Sequence, residues 1–180
     1  MDTVSRFIRL TDHFRAAADD HAQPNWYKEW HHFCLISQDI HIILNLSLCR
    51  QLRPLAGQDE ETARIILLVH NEQQGWIGDM DTIPLRDVST HRGQINIQFG
   101  HNRMAFEDGR FSLSVALENK PVTLMCQMKP ITYPLMRNKA AIGEGKIDWV
   151  VVPRLLTQGT VTVDRHVYQL QDVPAYHDHN

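Results

Sequence analysis

NRMAFEDGRFSLSVALENKPVTLMCQM, residues 102–128, decides the fold class. Apolar and polar residues alternate on both sides of Asp108-Gly109, a dipeptide that readily takes up positive φ, so Asn102 to Leu117 reads as a β-hairpin. A second hairpin follows through Glu118-Asn119-Lys120. Its returning arm, Val122 to Met128, sets Leu124, Cys126 and Met128 on one face and Met125 and Gln127 on the other, and Pro130 ends it.

The same signal spreads outward in both directions. Trp30 to Ser37 is an early strand, turned at Gln38-Asp39 into His41 to Arg50, where Ile42, Leu44, Leu46 and Leu48 share a face opposite Asn45 and Ser47. Leu52 to Glu61 is a polar loop. The solid aliphatic run Ala63 to His70 suggests burial on both faces and a central place in the sheet. Gly75 to Pro84, Gln94 to Phe99, Ile147 to Val152, Thr160 to Val163 and His166 to Leu170 supply further strands, while Tyr133 to Lys146, with Pro134, Gly143 and Gly145, reads as an irregular loop. Many short strands without long helices predict a mostly β, antiparallel barrel or sandwich. Before them, Val4, Phe7, Ile8, Phe14 and Ala18 recur at helical spacing, and Asp19 to Asn25, with Pro24, closes that segment. The chain therefore divides into a helical extension, 1–25, and a β domain, 26–180.

A chain of 180 residues with 43% hydrophobic content can fill one core. Its formal charge of -3 is spread evenly, which argues against nucleic acid as a partner. Cys34, Cys49 and Cys126 lack CxxC spacing and sit in apolar runs, as reduced packing residues do. Neither a signal peptide nor a membrane span is legible, so the cytoplasm is the expected location. GEGK at Gly143 is followed by Ile147 where a phosphate loop needs Ser or Thr, and no GxSxG, HExxH or GxGxxG string occurs.

The chemistry-bearing residues gather at the end of the sequence, in PAYHDHN from Pro174. On an extended strand His177 and His179 point one way while Tyr176, Asp178 and Asn180 point the other. Two imidazoles on one face can serve a metal ion, but a barrel site of that kind would need further ligands downstream, and His31 and His32 point to opposite faces. No metal is expected. In WYKEWHHF, from Trp26, the side chains of Trp30, His32 and Cys34 share one face and those of Glu29, His31 and Phe33 the other, which gives either a mixed pocket wall or core packing with satisfied polar groups.

Glu29-Trp30, GHNRMAFEDGRFSLSV from Gly100, WVVVPRLLTQGTVTVDRHVYQL from Trp149 and PAYHDHN, in that order, resemble the lipocalin-like hydroxyneurosporene synthase family. That family takes in carotenoid 1,2-hydratases, AttH-like proteins and fungal Diels-Alderase-type pericyclases. The resemblance covers roughly Trp26 to Asn180. It implies a lipocalin-like, calycin-type barrel, the first of two β domains around a hydrophobic cavity, with cofactor-free chemistry on a polyene, isoprenoid or polyketide-derived substrate. The family string continues into Trp-Gly and a second β domain, and its aromatic opening is replaced here by His31 and His32, which makes the wall more polar.

Under that resemblance Asp178 would protonate an alkene if burial kept it neutral, His177 or His179 would orient or deprotonate water, and Tyr176 would assist. Trp30, His32, Trp149 and Asn180 would line the substrate, with aromatic faces steadying a cation. A pericyclic reaction would need chiefly a pocket that holds the folded substrate. Asp178 is equally readable as a turn or salt-bridge carboxylate. A non-catalytic lipid or polyene carrier and a structural interaction domain stay open beside the enzyme, as does a second β domain in trans or a homodimer.

Overall fold

The computed structural model describes residues 2–15, 26–51, 62–91, 93–143 and 145–180, and in it the alternation of the sequence becomes alternation of burial. The strands are β1 (Trp26–Ile36), β2 (Ile40–Gln51), β3 (Thr62–Asn71), β4 (Gly75–Pro84), β5 (Val88–Thr90), β6 (Asn96–Phe99), β7 (Asn102–Glu107), β8 (Arg110–Ala116), β9 (Val122–Pro130), β10 (Leu135–Ile142), β11 (Gly145–Val163) and β12 (His166–His179). They form one antiparallel sheet in the order β4-β3-β2-β1-β12-β11-β9-β8-β7-β6-β5, with β10 attached to β11, and the sheet curls until it nearly closes as a barrel. The first and last strands are neighbours, with His31 opposite His179 and Phe33 opposite His177.

The inner face is apolar. Ile42, Leu44, Leu46 and Leu48 of β2 are buried as the alternation predicts, together with Phe33, Phe99, Phe111, Leu124 and Met128. The hairpin at Asp108-Gly109 has φ of 50° and 74°, the twist that matches two paired strands. Helix α1 (Thr3–Thr11) is capped by Asp2, whose carboxylate accepts the Ser5 N–H at 2.8 Å. Ile8 and Phe14, on the helix and just after it, join the core. Ala18, Asp19 to Asn25 and Leu52 to Glu61 lie outside the described residues. No helix among the described residues is long and apolar enough to cross a membrane.

Three expectations are corrected. Tyr133 to Lys146 contains the strand β10, whose side chains are mostly exposed; backbone pairing to β11 holds it, so no hydrophobic alternation announces it. Strand β3 is not central but next to the edge strand β4, and its outward side includes exposed Arg64. Strand β11 runs unbroken across Pro153 and Gly159, because irregularities in its pairing with β12 absorb both residues. Gly159 has φ of 145°, and a β-carbon there would overlap the Met125 carbonyl oxygen on β9.

Candidate functional site

Parity along β12 splits the terminal cluster in two. His177 and His179 point into the barrel and are fully buried, against Phe33, stacked on His177 at 4.2 Å, and Phe111 at 4.9 Å. His31 of β1 lies on the same wall, its ring stacked on His179 at 3.9 Å. Phe14 meets His31 and His179 edge-on, at 4.6 and 5.6 Å. Glu29, two residues before His31 on β1, shares their face and is likewise buried.

The group that organises this wall comes from elsewhere. Asp12, at the end of α1, enters the barrel with no exposed surface. Its Oδ2 lies 2.8 Å from His177 Nε2 and its Oδ1 lies 3.1 Å from His179 Nδ1. The far side of each ring is held as well. His177 Nδ1 donates to the His32 carbonyl at 3.0 Å, and His179 Nε2 lies 2.7 Å from Glu29 Oε1. The Arg15 N–H donates to both Glu29 carboxylate oxygens at 2.9 Å, so the segment after α1 is fastened to β1. Arg15 also reaches Asp148 on β11 at 3.0 Å.

Electrostatics follow from this geometry. Burial works to raise the Asp12 carboxyl, but the His177 charge and hydrogen bonds from His177 and His179 outweigh it and hold the group well below the usual carboxylate range. Burial lowers His179, yet hydrogen bonds to Asp12 and Glu29 overcome it and raise the imidazole to about 9. Burial and the neighbouring His179 push His31 far down, so it stays neutral. Neither ring nitrogen of His31 has a hydrogen-bond partner. Asp12, His31 and His177 each present one donor atom, all within 4.8 Å of one another.

The other expected site residues lie apart from this wall. Tyr176 and Asp178 occupy the opposite face of β12, beside Cys34 and His32 in register, and the side-chain amide of Asn180, just after the strand, donates to Asp178 Oδ1 at 2.6 Å. Trp30 is paired with Asn180 through reciprocal backbone hydrogen bonds, and Lys28 Nζ lies 5.3 Å from its ring. Trp149, on β11, is exposed and paired with Arg137 of β10. Of the residues expected from sequence, only His177 and His179 meet inside the barrel. The sequence assigns Asp12 no role, and Glu29 and His31 only a shared face with Phe33, read as a mixed pocket wall or as core packing. A signal for Asp12 existed: positions 5, 8 and 12 share one helical face, and that face is the buried one.

No protein-family model and no curated protein sequence matches the chain. Solved structures do. An AttH-like protein of Nitrosomonas europaea superposes with a TM-score of 0.64 at 12% identity, over 92% of this chain and 56% of its own. Kievitone hydratase from Nectria haematococca gives 0.59 at 13% identity, over 88% of this chain and 49% of its own. The fold is lipocalin-like. The chain spans about half the length of these structures.

Proposed function

We propose that this chain is a small-molecule-binding lipocalin-like domain, taking a largely apolar polyene, isoprenoid or polyketide-derived ligand, in a protein of the hydratase or cyclase type. The observation that carries this reading is the buried histidine and carboxylate group on an otherwise aromatic and aliphatic inner wall. Ligand sites pair apolar lining with a few convergent polar groups in this way. The likeness of fold to a hydratase lends support.

In this reading the chemistry belongs to the inner face. Glu29, His179, Asp12 and His177 form a continuous run of contacts at 2.7, 3.1 and 2.8 Å, along which a proton given up at one ring is replaced from the next. The faces of Phe33 and Phe111 beside His177 suit a cation developing on a polyene. Tyr176, Asp178, Asn180, Trp30 and His32 line a junction, with a second β domain or a second copy of the chain as the covering partner. The free thiols of Cys34, Cys49 and Cys126 fit a reducing compartment such as the cytoplasm.

The test is a fluorescence titration of the purified chain with a conjugated polyene fatty acid, followed by mass spectrometry of the extracted ligand. Saturable binding that disappears in Ala175→Trp, which fills the barrel beside His177, supports the reading. A gain of one water or a cyclised product makes the domain catalytic; unaltered ligand makes it a carrier. Unsaturable binding that ignores Ala175→Trp overturns the proposal.

A further inference from the structure

We propose that Asp12, His31 and His177, with His179 alongside, form a binding site for a divalent first-row transition ion of the zinc class. The fold supplies the further ligands that His177 and His179 would need from upstream in the sequence. His31 arrives because β1 pairs with β12 and sets it opposite His179, and Asp12 arrives on the segment following α1. Two imidazoles from neighbouring strands and one carboxylate lie within 4.8 Å of one another, with a third imidazole, His179, against that carboxylate; these are the nitrogen and oxygen donors that zinc takes in four-coordinate sites.

His177 and His179 are oriented as metal ligands are. The His177 Nδ1 proton is committed to the His32 carbonyl, which leaves Nε2 facing the cluster. A proton on His179 Nε2 is committed to Glu29, which leaves Nδ1 facing Asp12, and Glu29 is itself fixed by the Arg15 N–H. A carbonyl or carboxylate holding the far nitrogen is the usual outer-shell arrangement of a metal-bound histidine. The strongest independent sign is His31. It is completely buried, on the same wall, and neither of its ring nitrogens has a hydrogen-bond partner. A set of hydrogen bonds among Asp12, His177, His179 and Glu29 leaves that imidazole unexplained; an ion gives it a partner.

Distance and charge agree. The nearest donor separations are 2.8 Å from His177 to Asp12 and 3.9 Å from His31 to Asp12. A tetrahedral zinc site spaces its ligand atoms by about 3.3 Å, so these two separations change by roughly half an ångström, while the third, between His31 and His177 and within 4.8 Å, adjusts through rotation of the His31 ring out of its stack. Two buried carboxylates, Asp12 and Glu29, are balanced by one doubly charged ion with every imidazole neutral, and loading releases the protons that otherwise sit between the rings and Asp12. The inference does not depend on the barrel's binding or converting a small molecule.

The experiment uses the full chain, stripped with chelator, dialysed and titrated with zinc chloride by calorimetry, with cobalt(II) as the spectroscopic probe. One zinc per chain is expected, with cobalt giving the intense visible absorption of a four-coordinate site. His31→Phe keeps the stacked ring and removes only its nitrogens; it should fold as the parent does and lose affinity by at least about tenfold, as should Glu29→Gln through the outer shell. His177→Gln should abolish the cobalt band. Zinc retained at unchanged affinity in both His31→Phe and His177→Gln would mean that exposed histidines bind it and would overturn the assignment. So would a parent chain that takes up no zinc and shows no four-coordinate cobalt spectrum.

Discussion

The seam between β1 and β12 and the ribbon of β10 on β11 are built from the same antiparallel backbone pairing, yet they differ in everything the side chains contribute. At the seam, His31, Phe33, His177 and His179 stack across the pairing and are sealed from solvent. On the ribbon, Leu135, Met136 and Ile142 stand exposed, and the strand departs from regular register between Arg137 and Ala140. Backbone hydrogen bonds alone add little net stability because water offers the same bonds to the unfolded chain. The contrast teaches that the sheet of this protein is held by its inner wall, and that the ribbon is carried by it.

Removing Asp12 should produce the largest effect. Asp12→Ala takes the shared acceptor from His177 and His179 inside the barrel, leaving buried polar groups without their partner, and should cost about 3–5 kcal/mol in urea unfolding. Asp12→Asn, which restores one acceptor, should recover part of that loss. A loss below about 1 kcal/mol would mean the seam does not depend on its polar group and would erase the distinction from the ribbon.

The next test falls on β11, which pairs with β12 of the seam and with β10 of the ribbon. Gly159 lies in its packed half, opposite Cys126, where β9 approaches too closely for a side chain. Gly159→Ala should destabilise by about 1–3 kcal/mol, from positive φ and from the collision with the Met125 carbonyl. Gly145→Ala, at the ribbon end of the same strand, has ordinary φ and only van der Waals contact for the added carbon, so its unfolding midpoint should stay near the parent's. Equal losses at the two glycines would show that the halves of β11 are equally constrained.

What could be read from sequence tracks the same divide. Strands β2, β7, β8 and β9 are legible by alternation and β3 by its aliphatic run, and the parity of β12 separates His177 and His179 from Tyr176, Asp178 and Asn180. The β10 strand gave no such signal, since both of its faces meet solvent. Long-range pairing was the second blind spot. His177 and Asp12 are 165 residues apart, and only closure of β1 onto β12 brings the helix end over the two histidines. Asp178, which the resemblance makes a proton donor, is buried on the other face of the strand.

The smallest effects belong to the ribbon. Leu135→Ser and Ile142→Ser replace exposed apolar groups and should shift stability by no more than about 0.5 kcal/mol. Hydrogen exchange sharpens the same point without mutation. Among the described residues the amides of β10 pair with β11 alone, whereas those of β12 are enclosed between β1 and β11. Local opening of an exposed, singly paired strand exposes little apolar surface and needs little free energy, while opening the seam requires the inner wall to come apart. The β10 amides should therefore exchange well before global unfolding, and the amides of Phe33, His177 and His179 only with it. If β10 proved as protected as the seam, a partner covering Leu135, Met136 and Ile142 would have to be supplying the protection, and self-association measured by sedimentation would then identify a second copy as that partner.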